Sequence, residues 1–212
     1  MLPRYKIILI IGIVAVGILW YVFFGGRVVP VKNYPLYGDT IVAFGDSLVT
    51  GVGYTREGGF VAILSQRLQK PIINLGVVGD TTQDALARLP DVLREKPDVV
   101  IILLGGNDAI QRVPLETTMQ NLKTIIPTLQ EHGAAVVLLG VQGALIRDRF
   151  DSDFRALAKA EGAVYVPNIL EDIYRNPPLM YDGIHPNDEG YRMVADRVYP
   201  AVSGLLRGTC CD

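Results

Sequence analysis

The sequence predicts an α/β domain in which helices cover both faces of a parallel β-sheet. Short β-rich segments alternate with longer segments of helical spacing from residue 40 to residue 206, which is the pattern of successive βαβ units. Residues 99–104 are apolar at every position, as expected of a central strand buried on both faces. A chain of 212 residues, less a hydrophobic segment at its start, is about the size of one such domain.

The β-rich segments are expected to form a five-stranded sheet. They are residues 40–44, 71–75, 98–104, 134–139 and 163–166. The segments with helical spacing are residues 60–68, 82–94, 115–130, 151–160 and 187–206. In such a sheet, binding and catalytic sites form beyond the carboxyl ends of the strands. Residues that directly follow the strands are therefore the candidates for chemistry.

A hydrophobic segment precedes this domain. Residues 7–24 carry no charged side chain and are flanked by basic residues on both sides, and eighteen apolar residues can just span a bilayer. We expect residues 1–27 to form one N-terminal transmembrane helix. A cleaved signal peptide is the alternative, but cleavage after Gly25 or Gly26 would place a phenylalanine where a small residue is preferred.

The remaining boundaries follow from composition. Residues 25–39 carry two prolines and three glycines without periodicity. Residues 28–39 are predicted to be a tether, residues 40–207 to be the domain and residues 208–212 a tail. The basic residues on the two sides of the anchor are nearly balanced. We expect the domain to lie outside the cytoplasm, on the periplasmic or cell-surface side, and to be periplasmic or secreted if the segment is cleaved.

Composition excludes several classes of function. A formal net charge of −2 without a block of basic residues argues against a nucleic-acid partner. Two isolated histidines and no cysteine before the tail do not provide the usual ligands of zinc, and neither a phosphate-binding loop nor a dinucleotide fingerprint is present in the sequence. We expect no metal and no cofactor, and the oligomeric state is left open.

Four motifs carry the candidate chemical groups. They are residues 45–48 (GDSL), 74–82 (NLGVVGDTT), 105–108 (GGND) and 182–186 (DGIHP). The first three follow the first three predicted strands, and the last lies beyond the fifth. A serine, an acid and a base, which are the groups of a serine esterase, are thus provided by Ser47, Asp182 and His185.

The four motifs resemble, in the same order, those of the SGNH (GDSL) hydrolases. Within that family the chain is similar to the bacterial esterases of the thioesterase I/lysophospholipase type, and the resemblance covers residues 40–206. It implies a flavodoxin-like three-layer fold with a five-stranded parallel sheet. It also implies hydrolysis of carboxylic esters or thioesters, from small-molecule or lipid acyl substrates, through an acyl-serine intermediate.

The resemblance further implies a role for each site residue. Ser47 would be the nucleophile, His185 the general base that takes its proton, and Asp182 the group that orients the imidazole. The oxyanion hole would consist of the backbone N–H groups of Ser47 and Gly79 and the side-chain amide of Asn107.

Several of these positions also have a structural interpretation. Gly79 is compatible with a turn that needs positive φ, and Asn107 with an Asx-turn. Asp46 and Asp108 are better interpreted as carboxylates that hold their loops through backbone amides. His132 precedes a glycine at a predicted helix end, where an imidazole commonly interacts with the helix dipole.

Apolar residues around the predicted site suggest a pocket for an acyl chain, although several of them are equally compatible with the core. They are Leu48, Val49, Val141, Leu145, Leu179, Met180 and Ile184. An acyl pocket predicts a preference for C6 to C12 acyl groups over acetyl. The alternatives are a carbohydrate O-deacetylase on the same fold and a catalytically silent binding module, which is disfavoured because every expected catalytic position is filled.

Overall fold

The computed structural model describes residues 30–141 and 149–210. The predicted transmembrane segment and Leu145 lie outside these ranges. Within them, no helix is both long and apolar enough to cross a membrane.

In the described ranges, β-strands alternate with α-helices along the chain. The strands are β1 (Ile41–Gly45), β2 (Ile72–Gly76), β3 (Val99–Leu103), β4 (Ala135–Leu139) and β5 (Val164–Val166). The helices are α1 (Ser47–Thr50), α2 (Gly59–Leu68), α3 (Thr82–Ala87), α4 (Leu89–Arg94), α5 (Gly106–Ile110), α6 (Leu115–Glu131), α7 (Arg149–Glu161) and α8 (Asp188–Arg207), with a 3-10 helix at Pro177–Leu179.

The five strands form one parallel sheet in the order β2-β1-β3-β4-β5. This confirms the predicted five-stranded parallel sheet and is the flavodoxin-like strand order. The order changes direction between β1 and β3, and Gly45 at the end of β1 lies level with Gly76 of β2 and Leu103 of β3. The segments that follow these three strands therefore leave the sheet side by side.

Alternate residues of each central strand face opposite helical layers. Ile41 and Ala43 of β1 pack in a core with α2 and α8, whereas Val42 and Phe44 pack in a second core with α3, α4, α6 and α7. The same alternation holds along β3, whose residues are all buried. Because both faces are covered, β3 has no solvent-exposed side on which a polar residue would be favoured.

The helix predicted over residues 82–94 is wrong in one respect, because the structure divides it into α3 and α4. Arg88 is the residue between them, with φ −103° and ψ 14°. The physical reason is Pro90, which has no N–H to donate and whose ring would clash with the carbonyl of residue 86 in a continuous helix. The break places the Arg88 side chain at a corner beside the ends of β1 and β2.

The predicted tether, from residue 30 onward, lies against the domain. The backbone N–H of Lys32 donates to the carbonyl oxygen of Gly162 at 2.9 Å, and the Asn33 side-chain amide donates to the carbonyl oxygen of Ala134 at 2.9 Å. Gly162 and Ala134 precede β5 and β4. The chain therefore enters the domain at the amino ends of the strands, opposite to the edge from which the GDSL motif leaves.

Candidate active site

Ser47 begins α1 directly after β1. The Asp46 carboxylate caps this short helix by accepting the Leu48 N–H at 3.0 Å. Gly51 ends it with φ +89° and donates its N–H to the Ser47 carbonyl oxygen at 3.0 Å. As the first residue of the helix, Ser47 has a backbone N–H without an intrahelical acceptor. The strand-to-helix turn thus presents both its N–H and its hydroxyl at the edge of the sheet.

His185 connects Ser47 to Asp182. Its Nε2 lies 2.9 Å from the Ser47 Oγ, and its Nδ1 lies 2.8 Å from the Asp182 Oδ2. The other oxygen of Asp182 accepts the backbone N–H groups of Ile184 and His185, both at 2.7 Å. With the Nδ1 proton directed to the carboxylate, Nε2 is left to accept the serine hydroxyl.

The Asp182 carboxylate stays ionised although it is partly buried. Burial is the largest single influence on its pKa and raises it, but hydrogen bonds from the backbone and ring of His185 and from the Ile184 N–H outweigh this. The net result is a pKa below the ordinary aspartate value. Stabilisation of the charged form by several donors has this effect on any carboxylate.

The turn that carries His185 is fastened to the start of α8. Met180 and Pro186 form an antiparallel bridge across it. Asn187 caps α8 by accepting the Gly190 N–H at 3.1 Å, and its own N–H donates to the Leu179 carbonyl oxygen at 3.0 Å. A Cβ at Gly190 would lie 2.4 Å from that same oxygen, so this close approach requires glycine.

Gly79 and Asn107 follow β2 and β3. Gly79 has φ +87°, which favours glycine, and its N–H has no acceptor among the described residues. The Asn107 Nδ2 lies 2.9 Å from the Asp80 carbonyl oxygen and 3.4 Å from the Asp46 Oδ2. The structure thereby brings Asn107 to the immediate neighbours of Ser47 and Gly79.

A buried network lies beneath Asn107. The Asp108 carboxylate accepts the Thr82 N–H at 2.8 Å, the Thr82 hydroxyl at 2.5 Å and the Thr118 hydroxyl at 3.0 Å. The Asn121 side-chain amide donates to the Thr82 hydroxyl at 3.0 Å. Asp108, Thr82 and Thr118 are completely buried. Asp108 therefore holds α5 against α3 and α6.

The pKa of Asp46 is shifted in the direction opposite to that of Asp182. Burial raises the pKa of Asp46 to about 6, against the opposing effects of the Leu48 N–H and the nearby His185. The carboxylates of Asp80 and Asp108 add to the upward shift. Asp46 therefore titrates close to neutrality while it caps the helix that begins with the serine.

The predicted pocket residues are divided between the core and the surface. Leu48, with 6% of its surface exposed, and Val49, with none, are buried in the core on the α2 and α8 side of the sheet. Val141 and Leu179 are partly buried and pack against that core. Leu145 is outside the described residues, so its prediction stays open.

Other apolar side chains are exposed around the site. Met180, which is partly buried against the core, lines a pocket of about 410 Å³ beside the His185 turn, and Ile184 in that turn is 48% exposed. Val77 and Val78, just before Gly79, are also exposed, as is Tyr181. The pocket is lined by Arg175, Pro177, Met180, Tyr181, Asp182 and Gly183. The two valines are not among the pocket residues predicted from the sequence, although both directly follow the carboxyl end of β2, where sites form in such sheets.

The second histidine is remote from this arrangement. His132 ends α6, and its Nδ1 lies 2.8 Å from the Thr128 carbonyl oxygen. That end of α6 leads into β4 and so lies at the amino edge of the sheet. Among residues 30–141 and 149–210, no group of three acidic, histidine or cysteine side chains is placed to hold a metal ion.

Comparison with known proteins places this geometry in a family. Residues 43–193 match the GDSL-like Lipase/Acylhydrolase family. Esterase TesA of Pseudomonas aeruginosa is 34% identical over 180 residues, which cover 79% of this chain and 90% of the relative. Thioesterase 1/protease 1/lysophospholipase L1 of Escherichia coli is 31% identical over 167 residues, which cover 74% of this chain and 80% of the relative.

Solved structures agree with the sequence relatives. The crystal structure of TesA has a TM-score of 0.74 and 33% identity, and the match covers 79% of this chain and 99% of that one. The psychrotrophic esterase EstA from Pseudoalteromonas sp. has a TM-score of 0.71 and 27% identity, with coverage of 80% and 100%. The chain therefore belongs to the GDSL-like lipase/acylhydrolase family, the SGNH hydrolases, and is a serine ester hydrolase of that family.

Proposed function

We propose that the protein hydrolyses medium-chain acyl esters and thioesters through an acyl-Ser47 intermediate. The observation that carries this proposal is the hydrogen-bond chain from Asp182 through His185 to the Ser47 hydroxyl, with distances of 2.8 and 2.9 Å. As Oγ bonds to the substrate carbonyl carbon, its proton passes to Nε2 of His185, which then protonates the leaving oxygen or sulfur. Water repeats the sequence and releases the acid.

The charge that develops on the substrate oxygen would be stabilised by the N–H groups of Ser47 and Gly79 and the amide of Asn107. The amide has two hydrogens. One is engaged by the Asp80 carbonyl oxygen at 2.9 Å, and the other faces Asp46 at 3.4 Å, beyond the usual hydrogen-bond range. The longer contact is the weaker of the two, so an oxyanion would compete with Asp46 for that hydrogen.

Asp182 would stabilise the imidazolium that forms during each proton transfer. Its pKa lies below the ordinary aspartate value, so the carboxylate is anionic at neutral pH. The two backbone N–H groups that bind its other oxygen keep the carboxylate facing Nδ1.

Replacement of Ser47 by alanine tests the mechanism. We expect kcat to fall by at least about a thousandfold with folding retained, because triad groups act as a unit. Mass spectrometry of the wild-type protein after brief exposure to a p-nitrophenyl ester should locate one acyl group on the Ser47 peptide. Ser65→Ala, which removes a hydroxyl bonded to the Lys70 carbonyl oxygen, is the control. Retention of more than about a tenth of kcat in Ser47→Ala would refute the mechanism.

The acyl preference is proposed from the exposed apolar residues at the rim, among them Val77, Val78 and Ile184. Each methylene removed from water contributes about 0.8 kcal/mol, or roughly a fourfold gain in kcat/KM. A series of p-nitrophenyl esters and acyl thioesters should show the highest kcat/KM between C6 and C12. If acetyl is the best substrate and activity is lost by C4, the carbohydrate O-deacetylase replaces this assignment.

We also propose, from the sequence of residues 7–24, that the enzyme is anchored in a membrane with its catalytic domain outside the cytoplasm. The full chain should remain in the membrane fraction after a high-salt wash. Protease added to cells whose outer envelope is permeabilised, but whose cytoplasmic membrane is intact, should degrade the domain. Recovery of a shortened protein in the soluble fraction would establish cleavage instead, and protection from protease would place the domain inside.

A further inference from the structure

Arg88, at the corner between α3 and α4, binds three separate acceptors at once. Its Nε donates to the Asp80 carboxylate at 2.5 Å, one terminal nitrogen to the Leu75 carbonyl oxygen at 2.7 Å and the other to the Gly45 carbonyl oxygen at 2.9 Å. The guanidinium also lies 4.5 Å from the centre of the Phe44 ring. Arg88 is not among the site residues predicted from the sequence.

The acceptors belong to the segments that carry the oxyanion-binding groups. Gly45 lies two residues before Ser47, and Asp80 directly follows Gly79. The Gly45 carbonyl oxygen also accepts the Val77 N–H at 2.9 Å, which ties the end of β1 to the segment after β2. One guanidinium therefore fixes the spacing between the chain at Ser47 and the chain at Gly79.

Asp80 links Arg88 to Asn107, the third of the proposed oxyanion-binding residues. Its carboxylate binds Arg88, while its carbonyl oxygen accepts the Asn107 side-chain amide at 2.9 Å. We infer that Arg88 is a positioning residue, which sets the relative placement of the N–H groups of Ser47 and Gly79 and, through Asp80, of the Asn107 amide. This inference rests on the oxyanion role proposed above for those groups.

The ion pair between Arg88 and Asp80 is largely buried, which restricts the movement of both side chains. The side chain of Arg88 is 18% exposed and that of Asp80 is 8% exposed, so water competes little for their hydrogen bonds. A guanidinium holds its donors in one plane at fixed angles, whereas a lysine ammonium is a point charge on a flexible stem. Donors that are held in place before the reaction need no reorganisation as the oxyanion forms.

The substitution that isolates this role is Arg88→Lys, because it keeps the charge beside Asp80 and removes the fixed geometry. We expect kcat for a p-nitrophenyl ester to fall about 10- to 100-fold with KM changed less than about threefold, because the affected groups act on the transition state. The rate of inactivation by a p-nitrophenyl phosphonate, which gives a tetrahedral adduct, should fall in parallel. Arg94→Lys, on the exposed side of α4 and paired with Asp91 at the surface, is the control and should change neither rate.

Coupling to Asn107 distinguishes positioning from a general effect on folding. In an Asn107→Ala background, Arg88→Lys should cost clearly less than in the wild type, because one of the groups that it positions is already absent. Arg88→Ala should be partly restored by added guanidinium ion and not by an equal concentration of ammonium ion. Rates are expressed per folded molecule, measured by circular dichroism on the same samples.

The inference is overturned if Arg88→Lys keeps wild-type kcat per folded molecule and loses only thermal stability, or if its cost is the same with and without Asn107. These outcomes are separable from failure of the proposed function. A Ser47→Ala variant that remained active would reject the mechanism, whereas loss of activity in Ser47→Ala together with a silent Arg88→Lys would reject this inference alone.

Discussion

The two halves of the active site are stabilised in different ways. The half that contains Gly79 and Asn107 is held by polar side chains buried under the helices, of which Asp108 is the most connected. The half that contains Asp182 and His185 is a short turn at the surface, and the Asp182 side chain is 44% exposed. The Asp182 carboxylate is held by hydrogen bonds to residues at most three positions away, and the bridge between Met180 and Pro186 closes the turn.

This difference predicts where a substitution will change both activity and stability. A polar group in the buried half that loses its partner has no water to replace it, so a substitution there affects folding as well as catalysis. A group in the turn is partly solvated, so its loss should lower kcat more than it lowers the free energy of unfolding. The following predictions test this division.

The largest effect is expected for His185→Ala. Loss of the base should lower kcat by about 10³- to 10⁶-fold, as for other triad members. The melting temperature should change by less than about 2 °C, because the turn keeps its backbone hydrogen bonds. Calorimetry and initial rates on one preparation measure both quantities. A large loss of thermal stability would show that the turn depends on the imidazole and would contradict the division.

Asn107→Ala should lower kcat by about 100- to 1000-fold with little change in KM, because the amide acts on the charged intermediate. It should also reduce the free energy of unfolding by about 1 kcal/mol, since the Asp80 carbonyl oxygen loses its donor. A change confined to KM would show that Asn107 binds the substrate. Normal turnover with reduced stability would show that the amide is purely structural.

The same substitution in each half gives a matched pair. Asp108→Asn places an amide among the donors of Thr82 and Thr118 and should cost about 2 to 3 kcal/mol of stability, measured by urea unfolding. Asp182→Asn should leave stability within about 0.5 kcal/mol while it lowers kcat by about 10⁴-fold, through loss of the imidazole orientation. Equal losses of stability in the two variants would contradict the proposed difference between the buried half of the site and the turn.

The smallest expected effect is a change with pH in the contribution of Asp46 to the free energy of unfolding. Burial raises the pKa of Asp46 to about 6 in the folded protein, against about 3.9 in an unfolded chain. The folded state thus binds this proton more tightly, so the contribution of Asp46 to stability is complete below about pH 4 and is lost as pH rises through about 6. Ionisation of Asp46 therefore costs at most about 3 kcal/mol at neutral pH.

Asp46→Asn should reveal this cost. Asparagine keeps an oxygen for the Leu48 N–H but does not ionise, so we expect it to exceed the wild-type stability by about 1 kcal/mol at pH 8 and to lose that advantage at pH 4. Urea unfolding at a series of pH values measures the difference. A constant difference across the range would show that Asp46 does not change its protonation there.

Much of the fold was predictable because it follows from local periodicity. The continuous apolar character of residues 99–104 requires burial on both faces, and the order of strands and helices then predicts a parallel sheet whose motifs meet at one edge. The positions of Ser47, Gly79 and Asn107 directly after strands were visible for the same reason. The carboxyl ends of the strands in a parallel sheet lie at one edge of the sheet, independently of how the helices pack.

Other features depend on which residues from distant segments surround a side chain, and the sequence alone does not specify them. Leu48 and Val49 directly follow Ser47 in the sequence, yet the structure buries both in the core on the α2 and α8 side of the sheet. Pro90 predicts a break near residue 88, but the acceptors that Arg88 finds at Gly45 and Asp80 come from the sheet.

The fold class and the family therefore follow from the sequence alone, and the sequence also indicates the candidate groups of the site, because these depend on periodicity and on residue types at short spacing. The tertiary structure sets how strongly each carboxylate is desolvated and how many donors bind it. Hydrogen bonds outweigh burial at Asp182 and burial outweighs them at Asp46, so their pKa values shift in opposite directions. The tertiary structure also places one guanidinium, that of Arg88, between the segments that carry Ser47 and Gly79. Desolvation and hydrogen-bond geometry depend on neighbours from all parts of the chain, and those neighbours are defined only once the sheet and its two helical layers have formed.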